Sequence, residues 1–162
     1  MRSTLHGLLT HGIAPAKGKR GWQGAPTAYG SVKLVKLEDA LWRPAGRARR
    51  CIWELALHMA YWRYAVRRHL ETSVPPFPRS PANWPKLPKN TDQAQWDADR
   101  ALLRGEEIAL RAAVEALPER DFSAKSPQAK QFTRGELIIG IMLHDAHHVG
   151  QIQLMKKLMR SQ

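Results

Sequence analysis

Hydrophobic side chains recur at three- and four-residue steps along three long stretches of the chain. The first covers residues 50–70, which contain no Gly or Pro. Ile52, Leu55, Met59, Trp62 and Val66 form one stripe, joined by His58 and Ala65, while Arg63, Arg67 and Arg68 fall toward the other side. That period predicts an amphipathic helix of about 20 residues. The second stretch runs from a cap at Thr91 or Asp92 to Leu117, where Pro118 follows. Its apolar positions include Trp96, Leu102, Leu103, Leu110, Val114 and Leu117, and its interior is rich in strong helix formers. The third opens on Thr133-Arg134-Gly135-Glu136, a capping box, and runs to about Met159. Lys156, Lys157 and Arg160 sit favourably at the negative end of its dipole.

Elsewhere the pattern is weaker. Residues 72–91 carry Pro75, Pro76, Pro78, Pro81, Pro85 and Pro88, a density that no helix or central strand survives. A loop of about 20 residues in a compact domain is usually functional or a lid. Phe77 and Trp84 within it are expected to pack down as it crosses the bundle. Leu37 to Trp42 reads as one or two turns of helix, ended by Arg43-Pro44-Ala45-Gly46. A weak helix is expected from about Trp22 to Val32, against which Gly24, Pro26 and Gly30 argue. Something short and helical precedes the Gly-, Pro- and Lys-rich stretch at 14–21. No alternating strand pattern is seen. The expectation is an all-α four-helix bundle with a long Pro-rich crossover between helices 2 and 3. It occupies residues 22–162, after a basic, flexible segment at 1–21.

Length and composition narrow the class. At 162 residues the chain suits one domain. Its single cysteine, Cys51, excludes an intrachain disulfide framework and a multi-cysteine zinc site. No apolar run is long enough to span a membrane, and the N-terminus lacks the apolar core of a secretory signal, so a cytoplasmic location is expected. The net charge is +12, of which +8 falls on residues 1–50. A basic balance of this size raises the odds of an anionic partner. A solvated basic surface explains it more simply, and no zinc-finger, recognition-helix or RNA-binding aromatic motif supports nucleic acid.

The chemistry lies in the histidines. Of seven, His6, His11 and His69 lie in the N-terminal stretch or near a helix end and receive no role. His144 and His148 are one helical turn apart on the stripe of Leu137, Ile141, Ile152 and Met155, so they face the core. Two imidazoles at i and i+4 can bind one divalent metal. His58 lies on the apolar face of the first long helix and would complete a three-histidine set, the usual ligand number for a site with an open position. A satisfied core histidine is the simpler reading of His58 taken alone. His147 is an alternative ligand, although it lies about 100° around the helix from His148.

Four segments carry a resemblance. They are Ile52-Trp53-Glu54-Leu55-Ala56-Leu57-His58-Met59-Ala60-Tyr61-Trp62; the run His144-Asp145-Ala146-His147-His148-Val149-Gly150-Gln151-Ile152-Gln153; the tract Leu37 to Pro44; and the loop Phe77-Pro78-Arg79 with Asn83-Trp84-Pro85. Together they resemble the DinB superfamily of four-helix-bundle proteins, in its metal-binding branch, over about residues 22–160. In that family a histidine of the second helix and the first and last histidines of the H-x-x-H-H-x-G-Q run bind a divalent metal. The resemblance therefore implies His58, His144 and His148 as ligands. Zinc, nickel, manganese or iron are the candidate ions. It also implies a small-molecule substrate and two candidate chemistries, metal-dependent hydrolysis and transfer of low-molecular-weight thiols. Residues 1–21 match nothing in the family pattern.

Further roles follow from position. Glu54 lies one turn before His58 and would either orient its imidazole or pair with Arg50. Asp145 points away from the ligand face and is expected to pair with a surface base. Gln151 is expected to hydrogen-bond near the metal or across the bundle. Tyr61 either donates to a substrate or packs in the core. Cys51, two turns from His58, reads as a small buried residue. Arg43, Arg47, Arg49 and Arg50 would hold an anionic substrate or remain solvated. Non-catalytic metal binding stays open as an alternative, and a nucleic-acid role is disfavoured. Apolar helix faces left over after packing make a homodimer an expectation.

Overall fold

The computed structural model of the chain describes residues 4–15, 24–126 and 128–161. Its helices are α1 (Thr4–Ile13), α2 (Ala28–Val32), α3 (Leu37–Leu41), α4 (Ile52–Leu70), α5 (Gln93–Ala116) and α6 (Arg134–Arg160). A short antiparallel hairpin of β1 (Lys125–Ser126) and β2 (Ala129–Thr133) precedes α6. The architecture is all-α apart from this hairpin, which the sequence does not announce. A strand of two residues is too short to show alternation.

The long helices begin where their free amides find acceptors. The Cys51 amide donates to Glu54 Oε2 at 3.0 Å. The Asp92 side chain accepts from the Gln95 amide, and the Thr133 hydroxyl from the Glu136 amide. The Glu136 carboxylate accepts in return from the Thr133 amide at 2.7 Å, completing the capping box.

α4 is the central helix. Every residue from Cys51 to Ala60 is buried, and α4 packs on both α5 and α6. Trp53 contacts Asp99 near the start of α5, and Arg67 contacts Glu106 farther along, so α4 and α5 run in the same direction. The irregular segment 71–92 therefore travels back along α4. Phe77 meets Tyr64, and Trp84 meets His58 one and a half turns earlier. Both aromatics are partly buried against the core.

The fourth position of the bundle is shared by α1 and α2, each of which packs on α5 and α6. The weak helix expected from about Trp22 is formed only over Ala28–Val32, after a Thr27 cap; Trp22 and Gln23 lie outside the described residues. α1 falls within the stretch expected to be flexible. It buries Leu9 and Ile13 in a cluster with Leu110, Val114 and Ile141. A Cβ at Gly12 would stand 2.0 Å from the end of the Met142 side chain, so a larger residue there would make that flexible chain shift. Residues 16–21 of the same stretch lie outside the described residues.

Two positions depart from the expected faces. Arg63 does not point outward: it is 1% exposed, and its Nη2 lies 2.7 Å from Asp145 Oδ2 and 3.6 Å from Glu107 Oε2. Asp145 accordingly serves a buried base rather than a surface one. Arg63 also donates to the Ile13 carbonyl at 3.5 Å, so one guanidinium ties α1, α4, α5 and α6 together. A net-basic chain with a wide apolar stripe hides this, because the partners come from three other elements. Removing one member of a buried ion pair strands the other without water. Arg63→Leu is expected to lower the unfolding free energy by about 3–5 kcal/mol. The exposed neighbour Arg68→Ala should change it by less than ~0.5 kcal/mol. Urea denaturation checks the pair, and equal effects would contradict the assigned role of Arg63.

Candidate metal centre

His58 is 5% exposed and sits at the end of the second turn of α4. Its Nδ1–H donates to the Asn83 carbonyl oxygen at 2.5 Å. With Nδ1 carrying the proton, Nε2 keeps a lone pair directed into the bundle. Asn83 adopts φ +67°, a left-handed conformation that Asn tolerates better than most residues. Its side-chain Oδ1 accepts from Trp62 Nε1 at 2.8 Å, so both ends of Asn83 are held by α4. Trp84 stacks on the His58 ring with centroids 3.7 Å apart and planes 8° from parallel. The Arg50 guanidinium covers the Trp84 ring at 4.6 Å. The loop is anchored further along by Arg79, whose Nε donates to Asp99 Oδ1 at 2.9 Å. Asp99 is fully buried and also accepts from Trp53 Nε1.

α6 supplies the other two rings. His144 and His148 have centroids 4.5 Å apart, and His144 Nε2 lies 3.0 Å from His58 Nε2. His148 Nδ1–H donates to Gln151 Oε1 at 2.7 Å, leaving its Nε2 for the cluster. Gln151 Nε2 in turn donates to His147 Nε2 at 3.1 Å, which keeps His147 at the exposed edge. One nitrogen from each of His58, His144 and His148 falls within a 4.8 Å set.

These residues fit a divalent cation. The hydrogen bonds on Nδ1 fix Nε2 of His58 and of His148 as acceptors, and both face His144. A single N–H on His144 can satisfy only one of them. Burial pushes the His58 imidazole down to about 4, and the neighbouring His148 and His144 add to this. Burial likewise lowers His148. His58 and His148 are therefore neutral near pH 7, and an N–H on His144 can meet only one of their two inward lone pairs, whereas a cation can meet both. Neutral imidazole nitrogens suit zinc, nickel or iron.

Of the other expected participants, Glu54 does not reach His58. Its carboxylate accepts from Arg50, Arg43 and the Cys51 amide, so it closes the start of α4 and holds the basic patch. Gln151 takes the position beside the site. Tyr61 packs edge-on against Phe77 at 5.6 Å. Cys51 is fully buried, and burial pushes its thiol up to about 11, which rules it out as a nucleophile near neutral pH. Asn83 is the residue that periodicity misses. The only local sign is its place between Pro81 and Trp84-Pro85, and its partner is 25 residues away.

The lowered His58 and His148 values fix a pH dependence for the metal-free protein. Between pH 6.5 and about 4 the unfolded chain takes up protons that the folded chain refuses. The histidine contribution to stability should therefore be lost as pH drops through that window and be fully lost below it, where the paired carboxylates take over the decline. Urea midpoints between pH 7.5 and 4 should show the decline, less steeply in His58→Gln. An unchanged slope in that variant would contradict the neutral, buried His58.

Among comparisons with known proteins, the family model of the DinB superfamily matches residues 29–152. No curated protein and no solved structure shows significant similarity to the chain. The match spans α2 to α6 and includes all three clustered histidines. The chain belongs to the DinB superfamily.

Proposed function

We propose that the protein is a metal-dependent enzyme in which His58, His144 and His148 hold one divalent cation. The observation that carries this reading is the set of converging imidazoles whose outer nitrogens, on His58 and His148, are already bound to Asn83 and Gln151. Metal-ligating histidines ordinarily donate their second N–H to such a carbonyl. Three protein ligands leave an open position for water or substrate. A cation there supplies Lewis acidity, lowering the pKa of a water or thiol that reaches that position.

Of hydrolysis and thiol transfer, the surroundings favour thiol transfer. Glu54 is bound to Arg50, Arg43 and the Cys51 amide, and Asp145 is paired with Arg63. Neither carboxylate is placed to take a proton from water. A thiol starts near 8.5 and water near 15.7, so a thiol needs far less help to ionise. Trp84 and Asn83 hold His58 in place, and Gln151 holds His148.

His148→Ala is expected to abolish stoichiometric zinc binding in equilibrium dialysis while circular dichroism keeps its helical signal. Gln151→Ala should weaken zinc binding by roughly 10–100-fold. Zinc retained at full stoichiometry in His148→Ala would refute the ligand set. Transfer of a small thiol to an electrophile, present in the loaded protein and lost in His148→Ala, would support the activity. Hydrolysis without thiol transfer would shift the assignment to a hydrolase.

A further inference from the structure

A cleft of about 290 Å³ runs along the groove between α4 and α6, beside the histidine cluster. Its walls are Trp62 and Val66 from α4, Leu137 and Ile141 from α6, and Phe132 from β2. His144 forms one end and Glu136 the other, two helical turns away, a distance of about 12 Å. Trp62 is 38% exposed and Phe132 50% exposed, so the cleft opens to solvent between two aromatic side chains. Trp62 is held in place by its hydrogen bond to Asn83.

Two features argue for a ligand. The lining is apolar except at its ends, and exposed apolar surface of this kind beside a polar centre marks a binding groove. The second is Gly140, in the middle of α6 and on the cleft wall. A Cβ at Gly140 would meet nothing within 4 Å, so packing does not require glycine there, although alanine would favour the helix. Glycine keeps the cleft wide. For scale, an apolar cavity of about 150 Å³ holds benzene, so this one has room for roughly two rings.

We propose that this cleft receives the apolar part of the substrate, a neutral aryl or branched alkyl group, with the reactive end at His58, His144 and His148. The inference rests on the metal-dependent reading for its reactive end, whereas the cleft itself stands without a metal. The Glu136 carboxylate accepts from the Thr133 amide and hydroxyl at 2.7 and 2.9 Å. A carboxylate on the ligand would have to leave water for this otherwise apolar lining, so the cleft selects against acidic tails.

The test has two arms. In the first, metal-free protein is titrated with benzyl alcohol, and methyl NMR follows Val66, Leu137 and Ile141, with sedimentation run alongside. Saturable shifts are expected in the wild type and in Gly140→Ala, and their loss in Gly140→Phe. In the second, the cobalt-loaded protein is titrated with acetohydroxamate, 3-phenylpropionohydroxamate and its 4-carboxyphenyl analogue, read by the visible cobalt spectrum. The phenyl compound should bind at least tenfold more tightly than the other two. Gly140→Phe should erase that advantage and leave acetohydroxamate unchanged. Absence of saturable methyl shifts would overturn the proposal, as would equal affinity of the phenyl and methyl probes. Shifts absent while the protein sediments as a dimer would assign the groove to a second copy, which also overturns it. Failure to load cobalt, with the methyl shifts intact, would refute the metal reading alone and leave the cleft assignment supported.

Discussion

The candidate site depends on one hydrogen bond, from His58 Nδ1 to the carbonyl oxygen of Asn83. It decides which ring nitrogen carries the proton, and so which one faces His144 and His148. The carbonyl can point there because Asn83 takes a left-handed backbone conformation, and because Trp62 holds its side chain. The loop that carries Asn83 is fixed in turn by Arg79 on the buried Asp99, by Trp53 on the same carboxylate, and by Trp84 stacked on His58. The proline-rich connection thus does more than return the chain along α4. It supplies the polar partner that an apolar helix face could not give a buried imidazole.

The same economy shapes the rest of the interior. Among the described residues, charged groups enter the core in company: Arg63 with Asp145 and Glu107, Arg67 with Glu106, and Asp99 with Arg79 and Trp53. Each joins separate elements, and the Arg63 cluster lies directly behind the ligand helix through Asp145. His144 Nδ1 is 3.8 Å from Asp145 Oδ1 and has no hydrogen bond of its own. The third ring therefore lacks the hydrogen-bonded backing that Asn83 gives His58 and Gln151 gives His148. Burial without nearby negative charge in direct contact keeps His58 neutral, the state a metal requires.

Much of this was legible in the chain. Three-and-four spacing located α4, α5 and α6, and the Thr133–Glu136 box fixed the start of α6. The i, i+4 pair on the buried stripe of α6 and the lone His58 on α4 put the three rings forward, and the family resemblance selected them over His147; the fold brings the three together. What periodicity could not give was the partner of each polar group. Arg63 and Asp145 lie at the margin of apolar stripes, where burial depends on which helix packs alongside. Glu54 was visible as a neighbour of His58 by one turn, yet the amide of Cys51 and two arginines claim it first. Asn83 contributes through its backbone, which has no sequence signature beyond tolerance of positive φ.

The central claim is that three imidazoles, and no carboxylate or thiolate, hold one divalent ion. X-ray absorption on the zinc-loaded protein tests it most directly, because imidazole rings give a characteristic multiple-scattering pattern. The account predicts a signal from three imidazoles with one lighter oxygen or nitrogen donor, reduced in His58→Ala. A spectrum dominated by carboxylate oxygen or sulfur, or one unchanged in that variant, would contradict it.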